Sequence, residues 1–260
     1  MSGLLNVATE DPPTNVITIT EGTLMASRRV LITGASKGIG RAVADRLAGD
    51  GYEPIGIART VPPDFPGPFY QLDLADRAAT AATLASIIEA GRVDAVVNNA
   101  GFARFGFIGS IDENDLFSTY DLNVRTAVQV VQAALPGMRA AGWGRIVNVT
   151  SLTTLGTPER TPYAAAKAAL EACTRIWAKE LASTGITVNA VAPGPTETEM
   201  YRDRSPAGSE REARLLASIP LHRVATPAEI AHAVCFLLDE RAGYITGQIV
   251  RVDGGGSVPA

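Results

Sequence analysis

From residue 29 onwards, short runs of apolar and β-branched residues alternate with longer segments whose apolar positions recur at helical spacing. The short runs predict seven strands, near 29–33, 53–57, 68–72, 94–98, 145–149, 186–191 and 248–252. Helices are predicted near 39–49, 76–90, 113–140, 162–183, 208–217 and 227–238. Because helical crossovers join parallel strands, this order predicts an α/β fold, a single doubly wound domain with a mainly parallel seven-stranded sheet.

Three segments depart from the alternation. Residues 1–27 show no sustained periodicity and predict a flexible N-terminal arm in front of a domain that spans 28–260. Residues 59–68 contain four prolines and are too few for a crossover helix, so they predict an extended loop. Residues 201–211 are polar and flanked by helix breakers, and they predict an exposed, mobile lid over a ligand.

Composition narrows the choice of partners. The net charge of −4 lacks the basic excess that binding along nucleic acid requires. The sequence shows no apolar run long enough for a membrane span and no secretory pattern, so we expect a cytoplasmic protein without a membrane partner. Cys173 and Cys235 are predicted to be buried free thiols, and His222 and His232 lack metal-ligand spacing, so no metal site is expected.

A glycine-rich turn lies between the first predicted strand and the first predicted helix. Gly34 permits a sharp turn, Gly38 lets backbone approach a pyrophosphate, and Gly40 allows the helix to pack close to the sheet. Helix N-terminal amides attract phosphate charge. The turn therefore predicts a Rossmann-type dinucleotide site, with the phosphate-binding residues Gly34, Ser36, Lys37, Gly38, Ile39 and Gly40.

The residues after the second strand indicate which dinucleotide binds. No carboxylate stands there to accept from ribose hydroxyls, whereas Arg59 and Lys37 would attract a 2′-phosphate. NADP(H) is therefore favoured, with NAD(H) as the alternative. Asp73 and Leu74 follow the third strand, where Asp73 either lies beside the adenine or caps the next helix.

Tyr163 and Lys167 are four residues apart in a predicted helix, so they share one face. An adjacent cation is expected to lower the tyrosine pKa and make proton transfer feasible. The spacing alone is common, but Ser151 ends a strong strand and Asn123 places an amide within an apolar helix. Strand ends on one edge of such a sheet converge on a ligand crevice, so these polar groups predict a catalytic site.

Over residues 28–256 the sequence resembles the short-chain dehydrogenase/reductase family. The matching residues are Thr33, Gly34, Gly38, Gly40, Asn98, Asn99, Ala100, Gly101, Asn123, Ser151, Tyr163, Lys167, Pro193 and Gly194. The resemblance implies that Tyr163 is the general acid/base and that Ser151 orients the substrate oxygen. It also implies that Lys167 binds ribose and tunes Tyr163, and that Asn123 anchors a water in a proton relay.

The same resemblance implies further cofactor contacts. It assigns Asn99, Ala100 and Gly101 to the cofactor ribose and its surroundings, and Pro193, Gly194, Thr196 and Thr198 to the nicotinamide. Ser151 precedes Tyr163 by 12 positions, whereas Thr150 fits the longer spacing of many members. Since neighbouring residues at the end of a strand point to opposite sides, we favour Ser151 and a one-residue deletion in the loop.

The substrate is less well defined by the sequence. A group of apolar residues indicates either a substrate pocket or ordinary core: Phe102, Phe105, Phe107, Leu152, Pro195, Met200 and Tyr201. Arg202 and Arg204 either meet an anionic group or are solvated.

Residues 218–224, 226–229, 244–247 and 252–255 resemble the corresponding segments of β-ketoacyl-acyl-carrier-protein reductases, which implies a small-molecule or acyl-thioester substrate. The short connection over 59–68 and residues 193–200 also resemble dihydrodiol-type dehydrogenases, which gives an alternative enzyme. A non-catalytic cofactor-binding protein is the alternative from a different functional class. By the same resemblance we expect a homotetramer formed through the 113–140 and 162–183 helices and the C-terminal strand with its neighbouring helix.

Overall fold

The computed structural model describes residues 27–259, so the arm predicted over 1–27 lies, apart from Ser27, outside the described residues. These residues form a seven-stranded sheet in the order β3-β2-β1-β4-β5-β6-β7, and every strand pairing in it is parallel. The predicted α/β fold is confirmed. The strands are β1 (Arg29–Thr33), β2 (Glu53–Ala58), β3 (Phe69–Gln71), β4 (Ala95–Asn98), β5 (Gly144–Val149), β6 (Ile186–Pro193) and β7 (Ile249–Val252).

Helices cover both faces of the sheet, as a doubly wound fold requires. They are α1 (Gly38–Gly49), α2 (Arg77–Glu89), α3 (Glu113–Tyr120), α4 (Thr126–Ala141), α5 (Thr161–Leu181), α6 (Glu199–Arg202), α7 (Glu210–Ala217) and α8 (Pro227–Leu238). One apolar core lies under α1 and α8 and includes Val43 and Val234. The other lies under α2, α4 and α5 and includes Leu84 and Val130.

The helix predicted over 113–140 is interrupted in the structure. A π-helical turn, Asp121–Arg125, joins α3 to α4. At its centre, Asn123 Nδ2 donates to the backbone oxygens of Thr119 and Phe102, both at 2.8 Å. An amide that competes for backbone acceptors explains why the apolar helix widens here.

The proline-rich loop after β2 contains no helix, as predicted, but it is formed by turns and bends instead of an extended chain. Arg41 on α1 holds it by donating to the backbone oxygens of Pro63 and Asp64, both at 2.9 Å. The start of α8 is also as predicted. The Thr226 hydroxyl accepts from the Glu229 amide at 3.3 Å, and Glu229 Oε2 accepts from the Thr226 amide at 2.8 Å.

The two cysteines are free, but they are half-buried instead of fully buried. Burial raises the pKa of both thiols, that of Cys235 to about 12. Within residues 27–259, no helix combines the length and apolar character that a membrane span needs. Nor does this part of the chain hold a group of three or more metal-ligating side chains.

Candidate active site

A cleft of about 1540 Å³ lies at the carboxyl ends of the parallel strands. It opens where the strand order reverses between β1 and β4, the position at which doubly wound sheets bind ligands. All the residues predicted to bind cofactor or catalyse line the cleft, except Gly40 and Asn123. These two lie behind its wall, where they are buried.

The glycine-rich turn has the geometry expected of a phosphate cradle. Gly34 and Gly38 have φ angles of +67° and +58°, a region that disfavours other residues. A Cβ on Gly40 would lie 2.4 Å from the Gly34 oxygen and 2.5 Å from Asn99 Nδ2, so only glycine fits. Lys37 is the N-cap residue of α1, and its side chain does not cap the helix. Backbone amides of the first helical turn thus face the cleft without a capping side chain, as phosphate binding requires.

Asn99 ties the glycine-rich turn to β4. Its Nδ2 donates to the backbone oxygens of Thr33 and Gly34, both at 3.0 Å. The Thr33 hydroxyl accepts from the amides of Asn99 at 3.1 Å and Ala100 at 3.0 Å. The side-chain nitrogen of Asn99 therefore fixes the two strand ends to each other.

The cleft wall carries both cations that the sequence analysis named as candidates for a 2′-phosphate. Arg59 is exposed at the end of β2, whereas Lys37 forms an ion pair with Glu199 on α6. Asp73 does not cap α2, because that position belongs to Asp76, whose carboxylate accepts from the Ala79 amide at 2.9 Å. Asp73 is exposed on the cleft wall and accepts from the amide two residues on.

Lys167 is buried on α5, with 2% of its surface exposed. Its ammonium donates to the Val149 oxygen at 2.8 Å and lies 5.7 Å from the centre of the Tyr163 ring. Burial lowers the pKa of Lys167 from 10.5 to about 8. The Lys167 ammonium is therefore held close to the Tyr163 ring.

The expected lowering of the Tyr163 pKa is wrong. Burial raises the pKa of this phenol above its ordinary value. The adjacent Ser151 hydroxyl and the positive charge of Arg160 both lower it, yet burial outweighs them. The neutral, proton-carrying phenol is the form that this cleft favours.

The side chains of Thr150 and Ser151 have different surroundings, as strand alternation predicts. Thr150 Oγ1 turns to β6 and donates to the Val191 oxygen at 3.3 Å. Ser151 Oγ accepts from the amide of Thr153 at 3.2 Å and from its hydroxyl at 3.0 Å. These contacts leave the Ser151 proton available for a group in the cleft.

Asn123 and Lys167 both approach Gly101. A Cβ on Gly101 would lie 3.2 Å from Asn123 Oδ1 and 3.4 Å from Lys167 Nζ. Asn123 Oδ1 is buried and accepts no hydrogen bond from residues 27–259. A buried acceptor needs a hydrogen-bond partner. Because Gly101 has no Cβ, its side does not block Asn123 Oδ1, which fits the water that the resemblance assigns to Asn123 in a proton relay.

The chain that leaves β6, which the resemblance assigns to the nicotinamide, lines another part of the cleft. Pro193 ends the strand, and a Cβ on Gly194 would lie 2.8 Å from Asp253 Cα. The Thr196 hydroxyl donates to the Gly194 oxygen at 3.0 Å. The Thr198 hydroxyl caps α6 by accepting from the Tyr201 amide at 3.3 Å.

The apolar residues named from the sequence line the cleft with one exception. Phe107 lies outside the cleft and is 59% exposed. The 201–211 segment also lines the cleft, but it is not wholly exposed as expected. Ser205 is 3% exposed. Glu212, which follows the segment, is 8% exposed, and its ion pair with Arg202 compensates the burial of its charge.

Arg160 is a cleft residue that the sequence analysis did not name. Arg160 lies three positions before Tyr163 and lines the cleft beside it. Its pKa is lowered to about 10, first by burial and then by the positive charges of Arg204 and Arg211. A basic residue next to the first turn of the helix that carries Tyr163 was the available signal.

The fold and the cleft place the chain in a known class of enzymes. A family model described as enoyl-(acyl carrier protein) reductase matches residues 34–257. The chain belongs to the short-chain dehydrogenase/reductase family and is an oxidoreductase acting on CH–OH and carbonyl groups with a nicotinamide cofactor.

Comparisons with individual proteins show which members of the family the chain is similar to. The chain is 41% identical over 238 residues to the 3-oxoacyl-[acyl-carrier-protein] reductase FabG of Pseudomonas aeruginosa, covering 86% of this chain and 95% of that protein. It is 37% identical over 235 residues to the Escherichia coli (strain K12) FabG, with the same coverage of 86% and 95%. The solved structure of ElxO with NADP bound superimposes with a TM-score of 0.82 at 30% identity, covering 88% of this chain and 98% of that chain.

Proposed function

We propose that this chain is an NADP(H)-dependent reductase of 3-oxoacyl thioesters, of the type that acts on acyl carrier protein substrates. The observation that carries the proposal is the convergence of Ser151, Tyr163 and Lys167 in one cleft with an uncapped helix N-terminus at its other end. The FabG relatives, 37% to 41% identical over 86% of the chain, support the substrate class.

The residues of the cleft divide the reaction between them. A bound nicotinamide supplies the hydride in reduction and accepts it in oxidation. Tyr163 carries a proton at its phenol oxygen and donates it to the substrate oxygen, while the Ser151 hydroxyl donates a hydrogen bond to the same atom. Lys167 binds the ribose and lies behind the phenol, where its charge favours the phenolate that remains. Asn123 anchors the water of the proton relay, which returns a proton to Tyr163.

Cofactor choice follows from the charges at the adenosine end. Arg59 is exposed at the cleft, and the Lys37 side chain is 64% exposed although it pairs with Glu199, so both cations are assigned to a 2′-phosphate. Asp73 and Leu74 are assigned to the adenine. The NADP bound to ElxO, 30% identical to this chain, supports the same preference.

The test compares two reactions on the purified protein. NADPH-driven reduction of a 3-oxoacyl thioester is measured beside NADP-linked oxidation of a cyclic dihydrodiol. We expect the larger kcat/KM for the thioester. A larger kcat/KM for the dihydrodiol would replace this proposal with the dihydrodiol-type enzyme, and cofactor binding without turnover of either substrate would indicate a non-catalytic protein.

We further infer a homotetramer located in the cytoplasm. Large apolar side chains are exposed on the helices named for assembly: Phe117 on α3 is 67% exposed, Ile176 on α5 is 52% exposed and Phe236 on α8 is 56% exposed. Exposed apolar surface of this kind marks interfaces. Light scattering after gel filtration should give four times the chain mass, and a monomer would contradict this inference. The free thiols of Cys173 and Cys235 are consistent with a reducing compartment.

A further inference from the structure

Three arginines surround the substrate end of the cleft beside Tyr163. Arg160, Arg204 and Arg211 all line the cleft, and the carboxylate of Glu159 pairs with Arg204 and Arg211. Glu159 Oε2 lies 2.9 Å from Arg204 Nη2 and 3.8 Å from Arg211 Nη2. Three cations against one anion leave an excess of positive charge.

Two of these guanidinium groups pack on one aromatic ring. The Cζ atoms of Arg160 and Arg204 lie 4.2 Å and 3.8 Å from the centre of the Phe105 ring. Phe105 belongs to the loop after β4. This loop is held against the residues that precede α5, because the Gly106 amide donates to the backbone oxygen of Glu159 at 3.0 Å. The ring and this backbone contact fix both cations in place.

The arrangement is unfavourable without an anion. The pKa of Arg160 is about 10 because of burial and the repulsion of its two neighbours. Arg204 Nε is buried and has no hydrogen-bond acceptor within residues 27–259. Buried donors and like charges in contact are costly unless an acceptor of opposite charge completes them.

Arg202 provides the contrast. It donates to Glu197 Oε1 at 2.5 Å and to Glu212 Oε1 at 2.6 Å, so its charge is compensated within the chain. The sequence left Arg202 and Arg204 as equal candidates for an anion contact. The structure distinguishes them, because Arg204, unlike Arg202, has a side-chain donor without an acceptor among residues 27–259.

We propose that Arg160, Arg204 and Arg211 bind an oxyanion of the substrate, a carboxylate or a phosphate, and so select anionic carbonyl compounds. Guanidinium groups bind both oxyanions through paired N–H donors. This inference rests on the proposed reaction at Tyr163. The group it binds is separate from the cofactor phosphates, which belong to the glycine-rich turn and Arg59.

Two matched substrate pairs test the proposal and distinguish the two oxyanions. Acetoacetate is compared with methyl acetoacetate for a carboxylate, and acetoacetyl-coenzyme A with acetoacetyl-N-acetylcysteamine for phosphate. We expect kcat/KM with NADPH to favour the anionic member of at least one pair by about 10-fold to 100-fold. Arg204→Gln should reduce that ratio by a similar factor, and Arg160→Gln should reduce it too.

The control variant is Arg241→Gln, which removes the same charge from a side chain that is 90% exposed and outside the cleft. It should leave the ratio unchanged. Ratios near one for both pairs in the wild type, or ratios that Arg204→Gln does not alter, would overturn the proposal.

A binding measurement covers the case in which no substrate of either pair turns over, which would contradict the proposed function alone. Acetoacetate and coenzyme A are titrated calorimetrically into the NADP-loaded wild type and into the Arg160→Gln, Arg204→Gln double variant. Binding by the wild type that the double variant loses supports the oxyanion site. Equal binding by both proteins, or binding by neither, refutes it.

Discussion

Replacing Lys167 with methionine should stabilise the fold while it abolishes turnover. The side chain is 2% exposed and its ammonium has lost most of its hydration. A pKa lowered from 10.5 to about 8 corresponds to a penalty of about 3 kcal/mol for holding the charge in the folded protein. Methionine has a similar length and removes this penalty.

The net gain is smaller than the penalty. Lys167 Nζ donates to the Val149 oxygen at 2.8 Å, and losing a hydrogen bond to a charged donor costs about 1.5 kcal/mol. Lys167→Met should therefore raise the free energy of unfolding by about 1 to 2 kcal/mol near neutral pH.

The sign of the pH dependence follows from the lowered pKa. Between 8 and 10.5 the unfolded chain still holds the lysine proton that the folded chain has released, so wild-type stability rises with pH. The advantage of the variant is thus complete below pH 8 and lost by pH 10.5.

Urea unfolding across this pH range measures the difference. Lys179→Met is the matched control, since Lys179 is exposed on the same helix and should change stability little. The explanation fails if Lys167→Met is less stable than the wild type at neutral pH, or if the difference does not change with pH. Loss of turnover in a stabilised variant would show that the lysine is kept for function at a cost in stability.

Three further substitutions test other parts of the structure. Arg59→Glu should lower the kcat/KM preference for NADPH over NADH by about 10-fold or more, and an unchanged preference would exclude Arg59 from the phosphate site. Gly101→Ala places a Cβ 3.2 Å from Asn123 Oδ1, so kcat should fall about 10-fold with a smaller change in the KM for NADPH; wild-type kcat would contradict the relay. Thr226→Ala removes the cap of α8 and should lower the free energy of unfolding by about 1 kcal/mol in urea, whereas no change would show that Glu229 alone secures the helix start.

Features determined by neighbouring residues could be predicted from the sequence. The start of α8 lies at the predicted residue 227, because Thr226, Pro227 and Glu229 form a local capping box there. The seven strands were located within about two residues because buried parallel strands are continuous apolar runs.

Features that depend on distant contacts could not be predicted. The π turn at Asn123 depends on the Phe102 oxygen, which comes from another loop. The shared packing of Arg160 and Arg204 on Phe105 brings together three segments that are far apart in the chain. The Tyr163 pKa was predicted with the wrong sign because spacing reveals a nearby cation but not the extent of burial, which dominates here.

The central claim is that Tyr163 carries the proton, and Tyr163→Phe tests it most directly. NADPH binding to the purified variant is measured by fluorescence titration, and reduction of a 3-oxoacyl thioester is followed at saturating cofactor. We predict a Kd for NADPH close to that of the wild type and a kcat at least about 100-fold lower. A variant that binds NADPH and retains near-wild-type kcat would contradict the account.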